Sequence, residues 1–288
     1  MKTKAILAVR ILVFSFPLFF PTLGFSQFEN AETIDKAQIL VTYMLDFRQD
    51  STNLDDKRSE EMLLFIGSNI SLFMSYNQAF NDTVSAELLR ARQMGIIDRQ
   101  TLINQFSASR GPISRFRFRI YKFFAENRLM FRQFLLQNYY IYEEPLQFLN
   151  WQIIPGEEKV IQNYRVQKAT TTFGGRNWVA WFAPEIPISD GPYKFNGLPG
   201  LIIKIGDTRG HYVFTLTSFE KLSSPRPIEL IPGTSEVKTT RKNFLRAVEN
   251  FRNNILIHAR DAQFAPETQR IAAENMRRRN NPIELRAD

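Results

Sequence analysis

The chain alternates between two hydrophobic periods. Strand-like stretches dominate: Ile39 to Phe47, which alternates only loosely and is apolar on both faces, Met62 to Ile66, Ile70 to Tyr76, Arg115 to Ile120, which alternates strictly, Leu129 to Leu135 and Tyr139 to Tyr142. Gly67-Ser68-Asn69 predicts a hairpin between the second and third, and the charged run 48–61 predicts the connection after the first. A helical period replaces this over Thr83 to Ile97, with Asp82 or Thr83 as the cap, and residues 100–112 predict an irregular connection. In the Arg115 to Ile120 stretch, Arg115, Arg117 and Arg119 fall on one face of a strand, while Phe116, Phe118 and Ile120 fall on the other.

The densest strand signals lie between Trp151 and Phe219. Pro155-Gly156 predicts a turn, Lys159 to Phe173 one long strand or two short ones, and Gly174-Gly175 a hairpin returning through Asn177 to Ala183. That return strand carries bulk on both faces, which predicts a central position in the sheet. Residues 184–196, with three prolines and Gly191, predict an ordered loop. Leu198-Pro199-Gly200-Leu201 matches a type II turn, Leu201 to Ile205 enters the sheet, and His211 to Phe219 pairs with it after the 206–210 turn. Residues 226–239 predict a linker, 241–260 the strongest amphipathic helix, capped by Thr240, and 267–279 a more polar helix. The expected class is α+β: a largely antiparallel sheet with helices near 83–97 and 241–260 packed on it. By architectural analogy it is an open half-barrel resembling periplasmic lipoprotein carriers. The expected division is a main sheet domain over 27–235 and a helical extension with a basic tail over 236–288.

Composition adds an address. Residues 1–26 carry Lys2, Lys4 and Arg10, an apolar core and a small-residue exit at Gly24 and Ser26, the pattern of a cleaved secretory signal. We therefore expect export to the periplasm or cell surface, with no transmembrane segment in the mature chain. Cutting the signal removes three of 37 basic residues and no acidic one, lowering the charge from +8 to +5. That excess permits contact with anionic lipid or polysaccharide and argues against nucleic acid. With no cysteine in an oxidising compartment, stability must come from buried apolar surface, to which 26 phenylalanines contribute.

The hexapeptide Gly197-Leu198-Pro199-Gly200-Leu201-Ile202 stands intact within FGGRNWVAWFAPEIPISDGPYKFNGLPGLIIKI, downstream of YRVQKATTTF. On these residues the chain resembles the GLPGLI family of secreted envelope proteins of Gram-negative bacteria. Weaker likeness extends over ILVTYMLDF, EEMLLFIGSNISLFMSYN and YIYEEPLQFLNWQI. The resemblance implies a sheet fold and an exported protein but no reaction. Val166 stands where the pattern has a cysteine, so no thiol can act there.

Candidate chemistry is sparse. The two histidines, His211 and His258, lack metal-ligand spacing, and phosphate-loop and nucleophile-elbow motifs are absent. We therefore expect no metal and no cofactor. A hydrolase acting on peptide or glycan would have to draw on Glu185, Asp190 and His211. The aromatic density points instead to a binding module: Arg176, Trp178, Trp181, Asp190, Tyr193, Lys194 and Phe195 around a concave site for a lipid or peptide, with Arg117 and Arg119 meeting an anionic end. The opposing reading makes the aromatics core and the arginine ladder a solvated face. A third reading is a structural subunit docking on an outer-membrane protein through residues 184–200.

Overall fold

The alternating stretches pair as their turns dictate. The computed structural model describes residues 31–287 apart from 54, 110, 233–234 and 262–264, so the leader pattern of 1–26 lies outside the described residues. Among the described residues, twelve strands form one open sheet. In chain order they are β1 (Glu32–Arg48), β2 (Lys57–Ile66), β3 (Ile70–Ser75), β4 (Phe118–Phe123), β5 (Arg128–Leu135), β6 (Asn138–Pro145), β7 (Gln152–Ile161), β8 (Tyr164–Phe173), β9 (Arg176–Ala183), β10 (Leu201–Asp207), β11 (Tyr212–Leu230) and β12 (Glu236–Lys238). Their spatial order is β12-β6-β5-β4-β3-β2-β1-β11-β10-β9-β8-β7. Every pairing is antiparallel except β12 with β6. The helices are α1 (Tyr76–Gln93), α2 (Arg99–Ser109), α3 (Arg241–Asn253), α4 (Ile255–Asp261) and α5 (Pro266–Arg277). The chain is thus α+β around an open, mostly antiparallel sheet. No described helix is long and apolar enough to cross a membrane.

Two apolar layers flank the sheet. The inner face of almost every strand, from Val41 and Tyr43 through Phe73 and Phe131 to Trp178 and Phe214, joins one core that also takes in Tyr193, Phe195 and Leu198 from the 184–200 segment. On the outer face of β3, β4 and β5, residues such as Leu72, Met74, Tyr121 and Met130 form a second cluster with Ala37 and Ile228. The far ends of β1 and β11 reach this cluster because the ribbon breaks register between Ala37 and Ile39 and bends back. The Tyr121 hydroxyl donates to the Glu229 carbonyl (2.8 Å), fastening the bend. β3 and β4 are buried on both faces, including the polar side chains of Ser71, Ser75, Arg119 and Lys122.

Several boundaries differ from the sequence pattern. The first helix begins seven residues early, because the Ser75 side chain accepts from the Gln78 amide and caps it; Asp82 then lies inside the helix. Residues 99–109 form α2 instead of an irregular connection, with the Asp98 carboxylate accepting from the Thr101 amide (2.6 Å). Regular pairing in the arginine ladder starts only at Phe118, since Glu60 takes the Arg115 amide (3.0 Å). Pro155-Gly156 is not a turn between strands. It is a bulge within β7, where register shifts between Ile153 and Glu158; the true hairpin turn is Gln162-Asn163, both at positive φ. The expected linker from 226 onward is largely strand: Arg226 to Leu230 still pair with β1.

Candidate functional site

The segment 184–200 crosses the inner face of the sheet and fills it. Short backbone bonds shape it: Ile188 N to Ile186 O (2.7 Å), Asp190 N to Ile188 O (2.8 Å) and Gly200 N to Leu198 O (2.8 Å). The last is a three-residue turn centred on Pro199, tighter than the type II turn expected. Gly200 sits at φ +153, and a Cβ there would stand 2.3 Å from the Ala183 carbonyl oxygen, so only glycine fits against the end of β9. Leu201 N and Ile202 N then bond back to Ile186 O and Asp190 O, so the segment is stitched to the strand it feeds.

Two buried polar networks fasten this plug, and a third fastens the C-terminal segment. In the first, the Lys122 ammonium of β4 pairs with the Asp190 carboxylate and donates to the Gly191 carbonyl (2.7 Å), while the Ser71 hydroxyl donates to Asp190 (2.5 Å). Both ions have fully buried side chains. Burial outweighs the attraction of Asp190 and holds the Lys122 ammonium below its ordinary range.

In the second, Lys194 lies 2.9 Å from both Glu144 and Glu284, among the rings of Phe131, Tyr142, Phe173 and Tyr193 at 4.9–5.8 Å. Tyr193, held in the left-handed region at φ +55, donates its hydroxyl to Glu284, and Arg241 of α3 pairs with the same carboxylate. Burial raises the Glu284 carboxyl, but Lys194 and Arg241 overcome it and leave the group below its ordinary value.

The third network belongs to the C-terminal segment. Arg176 donates to Asp207 (2.9 Å), Asn281 Oδ1 (2.6 Å) and the carbonyls of Pro282 (2.6 Å) and Ile283 (3.0 Å). Residues 281–286 cross the β8–β9 turn, where Leu285 N donates to Gly174 O (2.7 Å). Gly174 and Gly175 have φ +61 and +76, and a Cβ on either would meet Glu284, Leu285 or Arg286 at 3.1–3.2 Å. The turn is glycine for its geometry and for the tail lying on it.

This arrangement disposes of the aromatic hollow. Trp178 and Phe195 are 0% exposed and pack against each other at 4.6 Å between centroids; Tyr193, Lys194, Asp190 and Arg176 are buried as well. These residues are interior supports: Asp190, Tyr193, Lys194 and Phe195 lie on the segment that occupies the face it was expected to border, with Phe195 packed on Trp178 of β9. Trp181 is half-buried on the opposite face, under the Lys159 ammonium at 3.6 Å. The arginine ladder is divided. Arg119 is buried and paired with Asp82 of α1, whereas Arg117 lies at the N-terminal end of β4. Of the hydrolase candidates, Asp190 and His211 sit in separate networks. The His211 ring borders Arg176 (3.4 Å), its amide donates to Asp207 (2.7 Å), and Glu185 is exposed.

A cleft remains beside the plug. It has a volume of about 370 Å³ between the β2–β3 hairpin, the end of β4 and residues 187–197. Ile66, Phe124, Leu146, Pro187 and Ile188 supply its apolar wall; Gln147, Ser189 and Asn196 supply polar edges, and Asp190 closes its floor. Sequence reading missed the cleft and the partners Lys122, Glu144, Arg241 and Glu284. A lysine inside the apolar run of β4 is the one local sign of the first network.

A family model described as "Protein of unknown function (Porph_ging)" matches residues 174–204, from the Gly-Gly turn through the plug into β10. No curated protein matches the sequence. Among solved structures, the chain is similar to PNGF-II in its P21 form, with a TM-score of 0.48 and 14% identity over 75% of this chain and 34% of that one. The C2 form gives a TM-score of 0.48 and 15% identity over 75% and 33%. The chain therefore spans about a third of the length of those structures.

Proposed function

We propose that the chain is an exported, non-enzymatic envelope protein of the GLPGLI family. It binds a small apolar or amphipathic ligand, or an apolar segment of a partner, in the cleft beside residues 187–197. The observation that carries this reading is the cleft itself, a half-open groove of about 370 Å³ with one apolar wall and a lining nearly as polar as it is apolar, within the usual size of small-ligand sites. The plug gives that cleft a rigid side, since Asp190 is bonded to Lys122, Ser71 and the Gly191 amide. The leader pattern of residues 1–26 and the intact hexapeptide support export and the family assignment.

The direct test is calorimetric titration of the chain lacking residues 1–26 with decanoate, beside denaturing mass spectrometry of protein purified from its native host. Each buried methylene contributes roughly 0.8 kcal/mol, so a partly enclosed ten-carbon chain should bind on the order of millimolar, as 1 mM corresponds to about 4 kcal/mol. Ser189→Trp, at an exposed lining position, should weaken binding at least tenfold without unfolding the protein. No heat of binding together with no co-purifying molecule would refute the reading. Cell fractionation that leaves the chain in the cytoplasm would refute the address.

A further inference from the structure

We infer that a groove across β7, β8 and β9, on the face of the sheet turned away from the plug, binds a neutral saccharide. It encloses about 450 Å³ and is lined by Asn150, Gln152 and Thr208 and by the stretches 170–172 and 177–179 of β8 and β9. That volume is within the usual size of small-ligand sites. Alternation along the strands sets the face: Ala169, Phe173, Trp178 and Ala180 join the core, so Thr170, Thr172, Asn177 and Val179 turn the other way. Register then gathers the side chains. Gln152 lies opposite Thr170, Thr170 opposite Val179, and Thr172 opposite Asn177. Hydrogen bonds fix the walls: the Thr171 hydroxyl donates to the Asn150 carbonyl (2.9 Å), holding the entry to β7 against β8, and the Thr208 amide donates to the Asn177 carbonyl (2.9 Å).

The chemistry of the lining selects the ligand. No charged side chain lines the groove, so it offers an ion no counter-charge. Its polar groups are hydroxyls and carboxamides, which both donate and accept. The Thr172 hydroxyl is spent on Asn177 Oδ1 (2.9 Å), which leaves the Asn177 Nδ2 as a donor. Among the described residues, the carboxamides of Asn150 and Gln152 and the hydroxyls of Thr170 and Thr208 have no protein partner either. Sugar hydroxyls likewise donate and accept, and the C–H faces of a sugar ring suit Val179 and the threonine methyls. An acyl chain would instead leave these polar groups unpaired. The backbones of β8 and β9 are paired on both sides within the sheet, so the floor gives an extended peptide no strand edge to join. The groove and the cleft are separate sites, and either can fail without the other.

The test is amide NMR of the labelled chain lacking residues 1–26, titrated with cellotriose, maltotriose or triacetylchitotriose, with trialanine as the peptide control. At least one of the sugars should give saturable shifts at Gln152, Thr170, Asn177 and Thr208 and none at Ile188 and Ser189 of the cleft. Asn177→Ala, at an exposed position, should weaken sugar binding about threefold or more, the loss of one net hydrogen bond. Thr170→Tyr fills the groove and should abolish the shifts, whereas Ser189→Trp should bind the sugar as the native chain does. Both groove variants should respond to decanoate as the native chain does. Should Thr170→Tyr not fold, Asn177→Ala carries the test. No saturable shift with any of the sugars, shifts confined to the cleft, native binding by Asn177→Ala, or a response to trialanine alone would overturn the inference.

Discussion

Replacing Lys122 by methionine removes one ion of the Lys122–Asp190 pair and leaves the other stranded. Both side chains are fully buried, and Asp190 would keep only the Ser71 hydroxyl and the Gly191 amide as donors. The carbonyl of Gly191 would lose its 2.7 Å donor as well. Breaking a buried pair by removing one partner costs about 3–5 kcal/mol, because the remaining charge is left uncompensated. For a chain of this size that is a fall in Tm on the order of 10 °C. The double variant Lys122→Met with Asp190→Leu removes both charges and should regain at least half the loss, giving a coupling of about 2 kcal/mol. Urea titration of the native chain and the three variants measures all the terms. A Lys122→Met cost below about 1 kcal/mol at unchanged m-value would mean that water reaches Asp190, and the plug would not be sealed.

Glu284, whose folded carboxyl is depressed, contributes stability that is fully present above its unfolded value of 4.5 and is lost as pH falls through the lower folded value. Melts of the native chain and Glu284→Gln should therefore differ most above pH 5 and converge in acid; a constant gap would contradict this assignment. Gly200→Ala should cost about 3 kcal/mol or more, since its Cβ would sit 2.3 Å from the Ala183 oxygen in a conformation that side chains avoid. An alanine variant that melts with the native chain would exclude that turn geometry. Arg132 is 1% exposed, and its Nε and Nη1 have no hydrogen-bond partner among the described residues. Its Nη2 donates to Glu236 (3.3 Å) and the guanidinium covers the Tyr139 ring at 3.9 Å. Arg132→Met should be neutral or stabilising by about 1 kcal/mol in a thermal melt, whereas a large loss would show that those two contacts outweigh the cost of burying the unpaired nitrogens.

What could be read from the chain follows from which forces are local. Strands β5 and β6 and the β8–β9 hairpin were legible because short aromatic and apolar runs, the closing Glu143-Glu144-Pro145 and the Gly174-Gly175 turn act within a few residues. The start of α1 was not, since Ser75 ends a buried strand and caps a helix at once. Nor was the strand at 226–230, where Pro227 suggested a linker; that stretch pairs with β1 opposite Lys36. The fate of the tryptophan-rich segment turned on distance along the chain. Aromatic density has the same appearance whether it walls a hollow or fills one, and the choice is made by Lys122 and Glu284, 68 and 91 residues away from Asp190 and Tyr193. The division of the arginine ladder has a similar origin, with Asp82 claiming Arg119 from a helix 37 residues earlier.

Hydrogen exchange over residues 186–202 tests the plug most directly. The amides of Asp190, Phe195, Leu201 and Ile202 donate to Ile188, Pro192, Ile186 and Asp190 inside the concave face, so they should exchange only with global unfolding, on the same timescale as the amides of β3 and β4. Exchange of those four amides within seconds, while β3 and β4 stay protected, would show a loose lid over an open hollow and would return the tryptophans to the binding surface.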